Sequence, residues 1–118
     1  MDVTTLRTEP TVERWLSSSG IADEDDREID GHLELLAQFC DHTGMGPGEL
    51  IEKCLRPLDS GDAEQREISL KGRGEINTAI DDWSDGLSGT SFMRIIAGNT
   101  VRGFLVHNGI LIQGRPAL

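Results

Sequence analysis

Ile29, Leu33, Leu36 and Cys40 follow one another at spacings of four, three and four. That spacing gathers all of them on one face of an α-helix, whereas a strand would divide them between both faces. Gly44 then follows as a residue that takes positive φ without a Cβ penalty and can close a helix. Pro47 suits the first position of a new helix, where its missing N–H is no loss. The stretch "FCDHTGMGPGEL" is therefore expected to be a joint between two helices, and a chain so punctuated is constrained to fold by packing helices on one another.

The same spacing recurs along the chain. A first helix is expected at about 10–19, with Val12, Trp15 and Leu16 on one face and Gly20 at its end. The second, at about 23–43, opens on "ADEDDRE", and acids in a first turn complement the positive end of the helix dipole. Within it Gly31 is a weak helix former, and marks an expected site of close packing. A third helix, at about 47–56, buries Leu50, Ile51, Cys54 and Leu55 and stops at Pro57. A fourth is expected at about 74–86, with Ile76, Ile80, Trp83 and Leu87 again at spacings of four, three and four. In a fifth, at about 89–107, Ser88 or Thr90 is a suitable N-cap. One side of it carries Met93, Ala97, Val101, Phe104 and Leu105, and another carries Ser91, Arg94, Gly98 and Arg102. The polar stretch at about 58–73 is expected to be a mobile loop. "ILIQ" at 110–113 is the one segment with an extended reading, able to cover the core or to pair with a partner. The fold class is all-α: one domain over residues 1–118 with its core at about 11–113, built as a bundle of four to five helices.

With 118 residues, 36% of them apolar, the chain can bury one modest core. It has no apolar run of 18 residues, so no membrane span is expected. "MDVTTLRTEP" lacks the basic start and apolar stretch of a secretory signal. Two cysteines, Cys40 and Cys54, are too few for a disulfide scaffold, and a reduced, cytoplasmic chain is the expectation.

Charge is divided unevenly. Residues 1–62 hold five Lys/Arg against fifteen Asp/Glu, which accounts for the whole net charge of −10. Residues 63–118 hold six of each, and no acid follows Asp85. Such acidity opposes strong nonspecific binding to nucleic acid, which rests on Lys/Arg neutralising phosphates. Scarce Lys beside abundant Asp and Glu is also a pattern of proteins that live at high salt, where a large net charge is a common device.

Chemistry is sparse. A phosphate loop needs G-x-x-x-x-G-K-[ST] after a strand, but a helix pattern precedes Gly44 and no Lys follows Gly48. Zinc ligands usually come in C-x₂₋₄-C or H-x₃₋₅-H pairs, and His32, Cys40, His42 and Cys54 form none. Both cysteines fall on apolar stripes, where a free thiol behaves as a small hydrophobe; if their helices pack face to face, the two thiols would approach each other. Asp25-Asp26 and Asp81-Asp82 read as solvated helix faces. No metal, cofactor or catalytic constellation is expected. What remains is a modest cationic surface able to contact phosphates: Arg94, Asn99, Arg102, His107 and Arg115, with Lys71 and Arg73 from the preceding loop.

Two phrases resemble the N-terminal, SAM-like core-binding domain of tyrosine recombinases and phage-type integrases. "QFCDHTGMGPGEL" is similar to a family phrase of the form "FxxFTGKxPDEL", and "NTVRGFLVHNGILIQGRP" is similar to a last core-binding helix ending "ALRSFFKHNGI". The resemblance spans about residues 11–113. It implies a small helical module that clamps one side of duplex DNA, with Arg94 and Arg102 at the matching contact positions, acting beside a catalytic recombinase or another protein partner. The acidic "ADEDDREID" departs from the basic surface such a role uses. The family's catalytic Arg, His-x-x-Arg and Tyr set has no counterpart, and without Tyr no phosphotyrosyl intermediate can form. Two functions are thus expected: a non-catalytic DNA-associated module, or a protein-interaction module in which Asp23, Glu24, Asp25, Asp26, Asp30 and Glu34 face a basic partner.

Overall fold

The computed structural model describes residues 1–58 and 65–116. Six α-helices lie among them: α1 (Val3–Arg7), α2 (Pro10–Ser19), α3 (Asp26–Thr43), α4 (Pro47–Lys53), α5 (Leu70–Asp85) and α6 (Ser91–Val106). A 3-10 turn (Ile21–Asp23) links α2 to α3, and two short strands, β1 (Leu55–Pro57) and β2 (Arg66–Ile68), lie between α4 and α5.

The helices begin where a side chain can take up free backbone N–H groups. Asp25 accepts from Glu28 N at 2.9 Å to start α3, Ser69 from Gly72 N at 3.1 Å to start α5, and Thr90 from Met93 N at 3.1 Å to start α6. Gly44 ends α3 at φ 72°, its N–H donating to Cys40 O at 2.8 Å. Pro47 is the first residue of α4, and the Glu49 carboxylate reaches back to Gly46 N at 3.1 Å. The glycine-rich phrase is a joint, and both of its flanks turn inward: Cys40 and Leu50 are buried.

The core forms where the helical stripes meet. Trp15 of α2 packs edge-on to Phe104 of α6 at 5.7 Å, and Phe39 of α3 packs on Trp83 of α5 at 5.4 Å. Leu33, Leu36, Ile80, Val101 and Leu105 close the space between these pairs. The fold is an all-α bundle, as the periodicity requires.

Several local expectations change. Helix α1 carries a single buried residue, Leu6, so it offers no stripe from which periodicity could be read. The 58–73 region is only partly a loop: β2 and the first turn of α5 occupy 66–68 and 70–73. Residues 59–64, where the rest of the expected mobile loop falls, lie outside the described residues. Helix α4 stops at Lys53 rather than reaching 56, because the chain turns into β1, which pairs antiparallel with β2 in the register Leu55↔Ile68, Arg56↔Glu67, Pro57↔Arg66. Three-residue strands are too short to show alternation. The carbonyl of Cys54 accepts from Ser69 N at 2.8 Å, which ties this ribbon to the start of α5. Residues 110–113 form no helix, turn or bend and join no ladder among the described residues, and Ile110 is buried in the core.

Gly31 is exposed with open space around its Cβ position, so it is not a packing site. The close approach occurs instead at Gly72, where a Cβ would stand 1.8 Å from Lys53 O. On α6, Met93 is 58% exposed, and the buried face of the helix begins only at Ala97. Gly98 and Arg102, placed by spacing on a separate polar face, lie buried in the seam between α5 and α6. A Cβ on Gly98 would meet Arg102, Ser84 and Ile80 at 3.2–3.3 Å, so the missing side chain lets the helices approach.

Candidate functional site

The cationic candidates come from α5, α6 and the tail, and the fold brings three of them together. Arg102 lies three residues after Asn99 on α6, one turn apart. Its Nε donates to Asn77 Oδ1 at 2.9 Å, Nη1 to Asn99 Oδ1 at 3.3 Å, and Nη2 to Asp81 Oδ1 at 2.8 Å. Only 3% of Arg102 is exposed. A guanidinium so enclosed would be a large penalty without a countercharge, and Asp81 on α5 supplies one. Asp81 is therefore turned toward the seam and is not simply part of a solvated acidic pair. Arg115 extends the cluster: its Nη1 stands 2.9 Å from Asp85 and 3.5 Å from Asp81. The hydrogen bond and charge of Asp85, with Asp81 behind it, make this guanidinium still harder to deprotonate. Asn99 clips the tail, donating to Arg115 O at 2.7 Å and accepting from Arg115 N at 2.9 Å.

The remaining cationic candidates are dispersed. Arg94 bends back on its own helix entry, with Nη1 on Gly89 O at 2.7 Å and Nη2 on Ser91 Oγ at 3.4 Å. His107 Nδ1 meets Ser18 Oγ at 2.8 Å, on the α2 side of the bundle. Arg73 Nη1 donates to Leu111 O at 3.0 Å, and Lys71 is exposed on the first turn of α5. Asn99, Arg102 and Arg115 thus converge, but onto Asp81 and Asp85. The spacing of the arginines gave no sign of these acids, since they belong to another helix.

The acidic candidates stand at the other end of the charge distribution. Asp23 sits in the 3-10 turn, and Asp25 is occupied as the α3 N-cap. Glu24 pairs with His32 at 3.3 Å, and Asp26 with Arg7 at 3.0 Å. Asp23, Asp30 and Glu34 form no ion pair within the described residues, nor does Glu28 of the same acidic block. The first turns of α3 therefore retain much of their negative charge.

Both cysteines are buried and free. Burial, aided by the neighbouring Asp41 carboxylate, pushes the Cys40 thiol up to about 12, and burial pushes Cys54 up to about 11. Each is a protonated core residue rather than a nucleophile. His42 stacks on Phe39 and His32 lies against Trp15, and among the described residues no group of His, Cys, Asp or Glu gathers as metal ligands. Nor is any helix among them long and apolar enough to cross a membrane. No protein-family model, curated protein or solved structure matches this chain.

Proposed function

We propose that this chain is a non-catalytic protein-interaction module whose acidic α3 end receives a basic segment of a partner protein. The carrying observation is the asymmetry of charge pairing. Arg102 and Arg115 are bound by Asp81 and Asp85, and Arg94 by backbone carbonyls, whereas Asp23, Glu28, Asp30 and Glu34 form no ion pair among the described residues and outnumber Arg27, the one cation of their segment, which is itself in no ion pair. Unneutralised carboxylates on one end create a field that steers a cationic partner and weakens with salt. Two buried free thiols fit a cytoplasmic setting.

The rival reading, a DNA-associated module of the integrase core-binding type, draws support from the two resembling phrases and retains Lys71, Arg73 and His107 as phosphate contacts. One titration separates the two. A fluorescein-labelled Lys/Arg-rich peptide and a short labelled duplex are each added to the full chain across a salt series. Peptide binding that falls with salt, and weakens in a Glu28→Gln, Asp30→Asn, Glu34→Gln variant, supports the interaction module. Salt-dependent binding of the duplex, with none of the peptide, overturns it in favour of the DNA role.

A further inference from the structure

A groove of about 650 Å³ runs between the first two turns of α5 and the tail. Its lining is half apolar, from Leu70, Val106, Leu111 and Ile112. Leu70 and Leu111 are each 72% exposed at its rim, although leucines on a folded surface are usually better covered. Its polar lining includes Arg73 and Asn77, which are four residues apart on α5 and so lie on one face. Asn77 Oδ1 is engaged by Arg102, which fixes the amide so that its NH₂ is the group left over, and that NH₂ has no partner among the described residues. Arg73 uses Nη1 on Leu111 O and keeps Nε and Nη2 unpartnered there. No carboxylate lines the groove, in a chain of net charge −10.

A second observation concerns the backbone. Residues 111–116 form no helix, turn or bend, and the N–H groups of Leu111, Ile112 and Gln113 make no hydrogen bond among the described residues. A segment free of turns and bends, with unused backbone donors beside a partly apolar groove, can serve as a template for adding a strand.

We propose that this groove binds an extended peptide segment in which apolar residues alternate with carboxylates, added as a strand along residues 111–113. Successive side chains of a strand point to opposite sides, so one set meets Leu70, Val106 and Leu111 and the carboxylates reach the donors of Arg73 and Asn77. Charge complementarity selects an acidic partner over a basic one, and the free backbone edge selects a peptide over a compact small molecule. This surface is separate from the acidic end of α3 and takes a partner of opposite charge.

The test uses the full chain, a short labelled peptide in which Val alternates with Glu, and the same peptide with Lys for Glu. The Glu peptide binds, and its affinity falls about tenfold in Arg73→Glu, the scale of losing a charge-assisted hydrogen bond. Leu111→Ser, on a side chain already in solvent, weakens binding without disturbing the fold, which circular dichroism checks if Arg73→Glu loosens the tail. The amide resonances of Leu111, Ile112 and Gln113 shift and gain exchange protection on binding. The Asp30→Asn and Glu34→Gln substitutions leave this affinity unchanged, which separates it from the acidic-end reading. Equal binding of the Lys peptide, no binding of the Glu peptide, or binding that leaves those amides unmoved overturns the proposal. So does self-association of the chain that Arg73→Glu abolishes, since the occupant would then be a second copy.

Discussion

Arg102 Nη2 and Asp81 Oδ1 stand 2.8 Å apart across the α5–α6 seam, with Arg102 3% exposed and the Asp81 side chain 39% exposed. The pair joins a buried cation to an anion that still touches water, so its geometry is held by α5 and α6 rather than by the flexibility of surface side chains. Two asparagines, Asn77 and Asn99, complete the guanidinium's hydrogen bonds.

Removing the anion alone leaves the cation enclosed. Asp81→Ala is expected to lower stability by about 2 kcal/mol, the scale of losing a hydrogen bond to a charged group and leaving it desolvated. Arg102→Met removes the buried charge and fills the seam, and is expected to be milder. Urea denaturation of both variants checks the order. Adding salt should narrow the difference only slightly, because buried pairs are weakly screened.

Two glycines separate space from flexibility. Gly72→Ala places a methyl against the Lys53 carbonyl, where the Cβ distance is 1.8 Å. It is expected to destabilise by about 1–3 kcal/mol through overpacking and to shift the contact between α4 and α5. Gly31→Ala, on an exposed turn of α3 with nothing near its Cβ, is expected to stabilise by about 0.5–1 kcal/mol. Thermal melts of the two variants should move in opposite directions.

Phe39 is fully buried and packs on Trp83 at 5.4 Å. Phe39→Ala is expected to cost about 3–5 kcal/mol through lost burial and the cavity left behind. Tryptophan emission, to which Trp15 and Trp83 both contribute, reports the same event by a red shift once water reaches the Trp83 ring.

The thiols predict an alkaline limit. Folding raises Cys40 from 9.0 to about 12 and Cys54 from 9.0 to about 11, so the native state holds these protons more tightly than the unfolded chain. Their contribution is complete below pH 9 and declines as pH rises toward 11–12, because only the unfolded state releases protons in that window. Stability measured from pH 8 upward should fall, and Cys40→Ala should flatten that fall even if it lowers stability overall. A thiol reagent at neutral pH should react slowly with the native protein and rapidly after denaturation.

The helical stripes were legible because burial and backbone period coincide within a single segment. Val12, Trp15 and Leu16, then Ile29, Leu33, Leu36 and Cys40, then Ile76, Ile80 and Trp83 are all buried as their spacing requires. The ends were less legible. Helix α5 starts at Leu70 rather than near 74 because Ser69 caps it and Gly72 fits against Lys53 O, and that neighbour is distant in sequence. Strands β1 and β2 escaped notice because they are held by pairing with each other and not by a pattern within either.

The candidate cations show the same limit. Spacing placed Arg94 and Arg102 along one helix, yet it could not tell that Asp81 waits opposite Arg102 or that Asp85 meets Arg115. By itself the sequence determined the all-α class, the close of α2 at Gly20, the joint from Gly44 to Pro47 and the acidic first half, because each depends on residues a few positions apart. Only the tertiary structure decided which charges are neutralised within the fold and where a groove opens beside the tail. Those outcomes depend on how closely α5, α6 and residues 110–116 approach one another, and no local period encodes that distance.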